Sequence, residues 1–191
     1  MDAFTTRLSP SGFTLIELLV VLFIGSIVAT VVLPSFSGFV DRSKIRATTN
    51  QIIRELTFAR ETAITSNTPV TICPSEDGAV CAQHWSDNFI IFYDRNTNGS
   101  IDEEDSILRE STSGDDWRLE WNAFGGKSSI TYTSLGFTNH QNGTFSLCPS
   151  RKNIALGQLI VINKAGRIRL AQDSDGNGWP EKSNGKDMSC D

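Results

Sequence analysis

The chain has 191 residues, 39% of them hydrophobic and 20% charged, with a formal net charge of -5. It is long enough for one core of ordinary size and too apolar for wholesale disorder. The acid excess excludes a surface that is cationic throughout, so any site for an anionic partner must be a local patch.

Residues 1–12, "MDAFTTRLSPSG", form a polar leader with Arg7 as its only basic residue. Residues 13–34 follow as an apolar run about as long as the roughly 20 helical residues that cross a bilayer, and are expected to form a transmembrane or filament-core helix. An ordinary secretory signal is cut after its apolar core. Here the small residue Gly12 precedes the core, so cutting there would keep the helix. Glu17 is the anomaly, because an ionisable group at that depth costs several kcal/mol and marks a function. Pro34, lacking an amide donor, is expected to kink or loosen the helix. Beyond it Ile45, Thr49, Ile52, Leu56, Ala59 and Ala63 recur at three- and four-residue steps, which predicts an amphipathic continuation over 35–67. The stop signal is "TSNTP" at 65–69.

The period then changes to two. "VTIC", "NFIIFYD", "SILRE", "WRLEW", "SSITYTS", "TFSLC", "LIVIN" and "GRIRL" read as short strands separated by turn residues. Residues 68–191 are thus predicted to be a β-rich head, and the fold class α+β, one long helix packed on antiparallel sheet. The tail "DSDGNGWPEKSNGKDMSC" would fray without a bond at Cys190. Cys73, Cys81, Cys148 and Cys190 form an even set without a "CxxC" pair, which speaks against zinc. A Cys73–Cys81 bond would close a short loop and Cys190 would staple the tail to Cys148, but three pairings are possible and sequence order does not choose among them. Arg42, Lys44 and Arg46 after the helix would, by charge bias, put the head in the cytoplasm. Disulfides persist outside the cytosol, and on that ground the head is assigned to the periplasm or cell surface.

Nothing points to catalysis. His84 and His140 are the only histidines, and no nucleophile elbow, phosphate loop or "HExxH" is present, so neither an enzyme nor a cofactor is expected. In "DRNTNGSIDEED", Asp94, Asn96, Asn98, Gly99, Asp102 and Asp105 fall at calcium-loop positions, with Asp105 where a bidentate Glu is usual; a poorer match begins at Asp173. The predicted flanks are strands rather than helices, so a hairpin turn is expected and no metal is assigned.

The words "GFTLIELLVVLFIGSIV" after a short leader resemble the class III signal of type IV pilins and type II secretion pseudopilins. The resemblance implies cleavage after Gly12 by a prepilin peptidase and an N-methylated terminal amine on Phe13. It also implies that Glu17 neutralises that amine on a neighbouring subunit when helices pack in a filament. Either charge alone is costly in an apolar core, and the pair would fix axial register. The order "VTICPSEDGAVC", "FIIFYDRNTNGSID", "LGFTNHQNGTFSLC", "LIVINKAGRIRL" resembles the GspH/FimT group of minor pilins over nearly the whole mature sequence. That implies the type IV pilin fold, a single inner-membrane pass with a periplasmic head, later incorporation into a pilus at the cell surface, and other pilins as partners.

FimT-like members taking part in natural transformation carry a "GRxR" motif, and "GRIR" at 166–169 matches it. On a strand Arg167 and Arg169 would share one face while Ile168 and Leu170 face the core, and their spacing of roughly 7 Å is close to that of phosphates along one DNA strand. Gly166 would permit close approach or supply the turn; Lys164 lies just before it, and Arg151 and Lys152 form a second basic spot. The bland alternative is surface ion pairing with Asp173 or Asp175. The expectation is weak, sequence-independent, salt-sensitive DNA binding through Lys164, Gly166, Arg167 and Arg169 during DNA uptake in competence. The alternative is a purely structural subunit that primes filament assembly, FimU-like in a pilus or GspH-like in type II secretion. An isolated calcium-binding surface protein is a distant third.

Overall fold

A computed structural model describes residues 12–114, 116–149, 157–182 and 185–190, with the backbone alone for 31–37. The chain divides into two units, Met1–Asp41 and Arg42–Asp191.

In the first unit, α1 (Leu15–Ile27) opens on a capping box. The Thr14 hydroxyl accepts from the Glu17 N–H at 3.3 Å, and the Glu17 carboxylate accepts in return from the Thr14 N–H at 3.0 Å. Two otherwise orphaned amide donors are satisfied by this exchange. None of the residues of α1 is buried. The helix then widens into a π turn over Val28–Val32 before resuming as α2 (Leu33–Ser66). Pro34 supplies a cause: it has no backbone N–H to give to the Thr30 carbonyl. Because α1 has 13 residues and α2 turns polar, no helix among the described residues is by itself long and apolar enough to cross a membrane. The apolar run expected as one helix is shared among α1, the π turn and the start of α2.

In the second unit, Ile45, Thr49, Ile52, Leu56, Ala59 and Ala63 of α2 are all buried. The helix ends where Asn67 takes a left-handed φ of 50°, with Thr68 N–H returning to the Ala63 carbonyl at 3.2 Å and Asn67 N–H to that of Ile64 at 3.4 Å. This double closure ties up the last carbonyls, and Pro69 prevents further winding.

All eight predicted stretches form strands: β1 (Val70–Pro74), β2 (Asn88–Tyr93), β3 (Ser106–Thr112), β4 (Trp117–Ala123), β5 (Ile130–Tyr132), β6 (Gly143–Pro149), β7 (Gln158–Ile162) and β8 (Ile168–Leu170). They build two four-stranded antiparallel sheets, ordered β3-β2-β1-β5 and β4-β6-β7-β8. One core joins the α2 stripe to Ile72, Phe89 and Ile91 of the first sheet and to Leu119, Phe145 and Ile160 of the second. The disulfides are Cys73–Cys81 and Cys148–Cys190. Met188 is buried beside Cys148 and Leu159, so the tail is docked by packing as well as by its bond.

Candidate nucleic-acid interface

The connection from β7 to β8 is a three-residue hairpin loop. Asn163 N–H donates to the Arg167 carbonyl at 3.2 Å, Gly166 N–H to the Asn163 carbonyl at 2.9 Å, and Gly166 is left-handed with φ 71°. A glycine in that last position lets the loop close without twisting the strands apart. The Asn163 side chain accepts from Arg167 N–H at 3.0 Å and locks the turn. The segment after β5 has the same build: Thr133 N–H meets the Phe137 carbonyl and Gly136 N–H the Thr133 carbonyl, both at 2.8 Å, with Gly136 at φ 76°. "TSLGF" and "NKAGR" are therefore twin turns.

The twins are stacked. A Cβ on Gly166 would strike the Gly136 carbonyl oxygen, so glycine is required there by contact as well as by φ. Thr138 N–H donates to the Lys164 carbonyl at 3.1 Å. Arg60 of α2 spans both turns, giving Nε to the Gly136 carbonyl at 2.9 Å and Nη2 to the Ala165 carbonyl at 3.3 Å. The carbonyls of the β7–β8 loop are thus satisfied from behind.

Lys164, Arg167 and Arg169 all point into solvent. The expectation of two arginines on one strand face holds only in part. β8 begins at Ile168, so Arg167 belongs to the turn; Arg169 alone has a strand position, opposite Val161. Ile168 packs on the core, but Leu170 is 40% exposed because β8 is a three-residue edge strand. Among the described residues no carboxylate is ion-paired with Lys164, Arg167 or Arg169. The suggested partner Asp173 instead accepts from Gly176, Asn177 and Gly178 N–H, and Asp175 from Asn177 N–H. Arg7, Arg151 and Lys152 lie outside the described residues. Gly12 and Phe13 are exposed ahead of α1, and Glu17 is engaged by Thr14.

The two calcium-like segments are local loops with the same internal bonding. Asp94 accepts from Asn98 and Gly99 N–H at 3.1 and 3.0 Å, and Asp173 from Asn177 and Gly178 N–H at 3.1 and 2.8 Å. The first loop connects β2 to β3 and is rooted in the core: Asp94 is buried and takes a 2.6 Å bond from the Thr71 hydroxyl, itself bonded to Thr131. The side-chain amide of Asn96, then the Glu104 N–H, hold the Asp102 carboxyl below the usual range, while burial pushes Asp105 up. The second loop is exposed, and it is there that carboxylates of Asp173, Asp175 and Glu181 come within 4.8 Å of one another, an oxygen set suited to a hard cation. Among the described residues this clustering of carboxylates falls in the segment with the poorer motif.

Sequence reasoning missed Arg60, Gly136 and Thr138 as supports of the GRIR turn. The available signal was the repeated pattern of a polar residue followed three positions later by glycine, in "TSLG" and "NKAG".

A family model described as Type II transport protein GspH matches residues 48–177, and a prokaryotic N-terminal methylation motif matches residues 8–33. No curated protein gives a significant match. Among solved structures, the type IV minor pilin FimU of Pseudomonas aeruginosa superposes with a TM-score of 0.53 at 22% identity, covering 71% of this chain and 94% of that one. The minor pseudopilin EpsH from the type 2 secretion system of Vibrio cholerae gives 0.49 at 13% identity, covering 69% and 98%. The GspH match spans most of the chain and the fold is that of type IV pilins, so the protein belongs to the GspH family, the GspH/FimT-like minor pilins and pseudopilins, as a non-enzymatic filament subunit.

Proposed function

We propose that the protein is a minor type IV pilin that binds DNA weakly and without sequence preference during uptake for natural transformation, with Lys164, Arg167 and Arg169 as the phosphate contacts and Gly166 shaping the turn that carries them. The observation that carries this reading is the cationic turn itself: its backbone is held from behind by Arg60 and Thr138, and its three cations have no carboxylate partner among the described residues. Charges so held are available to phosphates, and they target the backbone rather than base edges. In an acidic protein such a site has a small footprint and a shallow salt dependence.

The reading includes a life history. Prepilin peptidase cuts after Gly12; residues 13–34 cross the inner membrane once and leave the head in the periplasm. Phe13 then becomes the methylated terminus, whose charge Glu17 of a neighbour meets in the filament. The all-round exposure of apolar side chains on α1 and the two disulfides of the head support this order of compartments. A second reading, a structural subunit that primes filament assembly without touching DNA, is favoured by the likeness to the minor pilin FimU and by the net charge of -5.

Titration of the detergent-solubilised full-length chain with labelled DNA separates the two. The DNA reading expects Arg167→Gln with Arg169→Gln to lose about 1 to 3 kcal/mol of binding and to flatten the salt dependence. Equal binding by parent and variant, or binding indifferent to salt, removes the arginine turn as the DNA site, and no binding by either chain leaves the structural reading.

A further inference from the structure

Three cations are half of what this corner of the head displays. Their companions are apolar: Leu135 is 74% exposed, Phe137 51% and Ile64 46%. All belong to the same corner of the head. Leu135 and Phe137 flank Gly136, whose carbonyl faces Gly166, and the tip of Ile64 lies against the α-carbon of Gly136. Phe137 also precedes Thr138, which bonds to the Lys164 carbonyl. One turn therefore presents an aromatic ring and an aliphatic side chain, and its twin presents two cations, with Arg169 close behind.

We infer that this corner grips single-stranded DNA, with a base stacked on Phe137 and its flanking phosphates on Lys164 and Arg167. The inference rests on the reading of the β7–β8 turn as a DNA site and adds the class of substrate. Duplex DNA offers such a surface only phosphates, because its bases are already stacked on one another. A single strand, or a frayed end, offers phosphates and free base faces together, and an aromatic platform beside cations satisfies both. Stacking is tolerant of sequence because every base has a π-face. It also releases water from an apolar surface that the fold otherwise leaves wet.

The test is fluorescence anisotropy of the detergent-solubilised full-length chain with a labelled oligodeoxythymidylate and with a blunt duplex of equal length. The parent is expected to prefer the single strand by about fivefold or more, and Phe137→Ala to lose about tenfold on the single strand. The same variant should lose less than about twofold on the duplex, Phe137→Trp should restore binding, and Phe124→Ala, an exposed phenylalanine in the β4–β5 connection, should change neither affinity. If Phe137→Ala melts early, Phe137→Leu keeps the bulk and removes the ring. Equal affinity for both DNA forms, or a silent Phe137→Leu, overturns the stacking inference while loss of binding in the arginine variant preserves the DNA reading. Absence of binding to either DNA overturns both. A Phe137→Ala chain that binds DNA normally but no longer enters filaments also overturns the inference and reassigns the corner to pilin packing.

Discussion

Leu15–Ile27 and residues 45–63 of α2 are successive stretches of helix in one chain, and their apolar side chains meet opposite fates. In the second, six residues at helical spacing are all buried under one body. In the first none is buried, and Leu18, Leu22 and Phe23 are 57%, 61% and 67% exposed. A stripe can be satisfied by one partner surface; a helix apolar on every side needs apolar surroundings on every side, as lipid or a bundle of like helices provides. The head thus accounts for its own stretch of helix, and α1 is a surface made for something outside the head.

The largest expected effect tests that asymmetry directly. Leu56 is buried among α2 and both sheets, and Leu56→Ala should destabilise the head by about 2 to 5 kcal/mol through lost transfer energy and the cavity left behind. Leu19→Ala, on the exposed α1, should leave the melting of the head unchanged, followed by near-ultraviolet circular dichroism in detergent. Equal losses at the two sites would mean that α1 is part of the head's cooperative unit, and the contrast would be gone.

Next in size come the disulfides, which divide the head as the helices divide the chain. Loop-closure entropy gives roughly 4 kcal/mol for the Cys148–Cys190 bond, with a sequence separation of 42, and roughly 2.5 kcal/mol for Cys73–Cys81, with a separation of 8. Urea unfolding of the two double serine variants should preserve that order. The reverse order would show that Met188, packed against Cys148 and Leu159, already holds the tail without its covalent bond.

Much of this architecture was legible in local pattern, and its omissions have a common cause. The α2 stripe and the eight strands follow from spacing, because each residue's face is fixed by its neighbours. The start of β8 was misread since the alternation of "GRIRL" runs through Gly166, whereas the left-handed turn at that glycine takes Arg167 out of the ladder. Asp94 and Asp173 carry almost the same motif and share the amide donors four and five positions on; the hydroxyl of Thr71, on another strand, reaches only the buried one. Arg60 supports two turns 76 and 105 positions away, a relation no window along the chain contains. The cationic turn could be read from its letters. The exposed ring beside it became visible only when the fold brought "TSLGF" against "NKAGR".

The smallest effect is electrostatic, and it assigns the acid limb of stability to the head. Asp102 accepts from the side-chain amides of Asn96 at 2.6 Å and Asn98 at 3.1 Å and from the Glu104 N–H at 3.2 Å, and these bonds hold its carboxyl below the ordinary range. A depressed folded-state pKa contributes stability that is present above the unfolded value of about 3.9 and is lost as pH falls through the folded one. Asp105, in the same loop, is displaced upward, chiefly by burial, so its ionisation opposes folding and that opposition is relieved as pH falls through its raised value. The two substitutions should therefore act with opposite signs. Asp102→Asn should flatten the decline in melting temperature below about pH 4, and Asp105→Asn should raise the melting temperature at neutral pH, where the parent carries the charge. Glu17→Gln, in the other unit, should move neither limb of the head's pH profile. A shift of the acid limb by Glu17→Gln would couple the two stretches of helix that every other difference between them keeps apart.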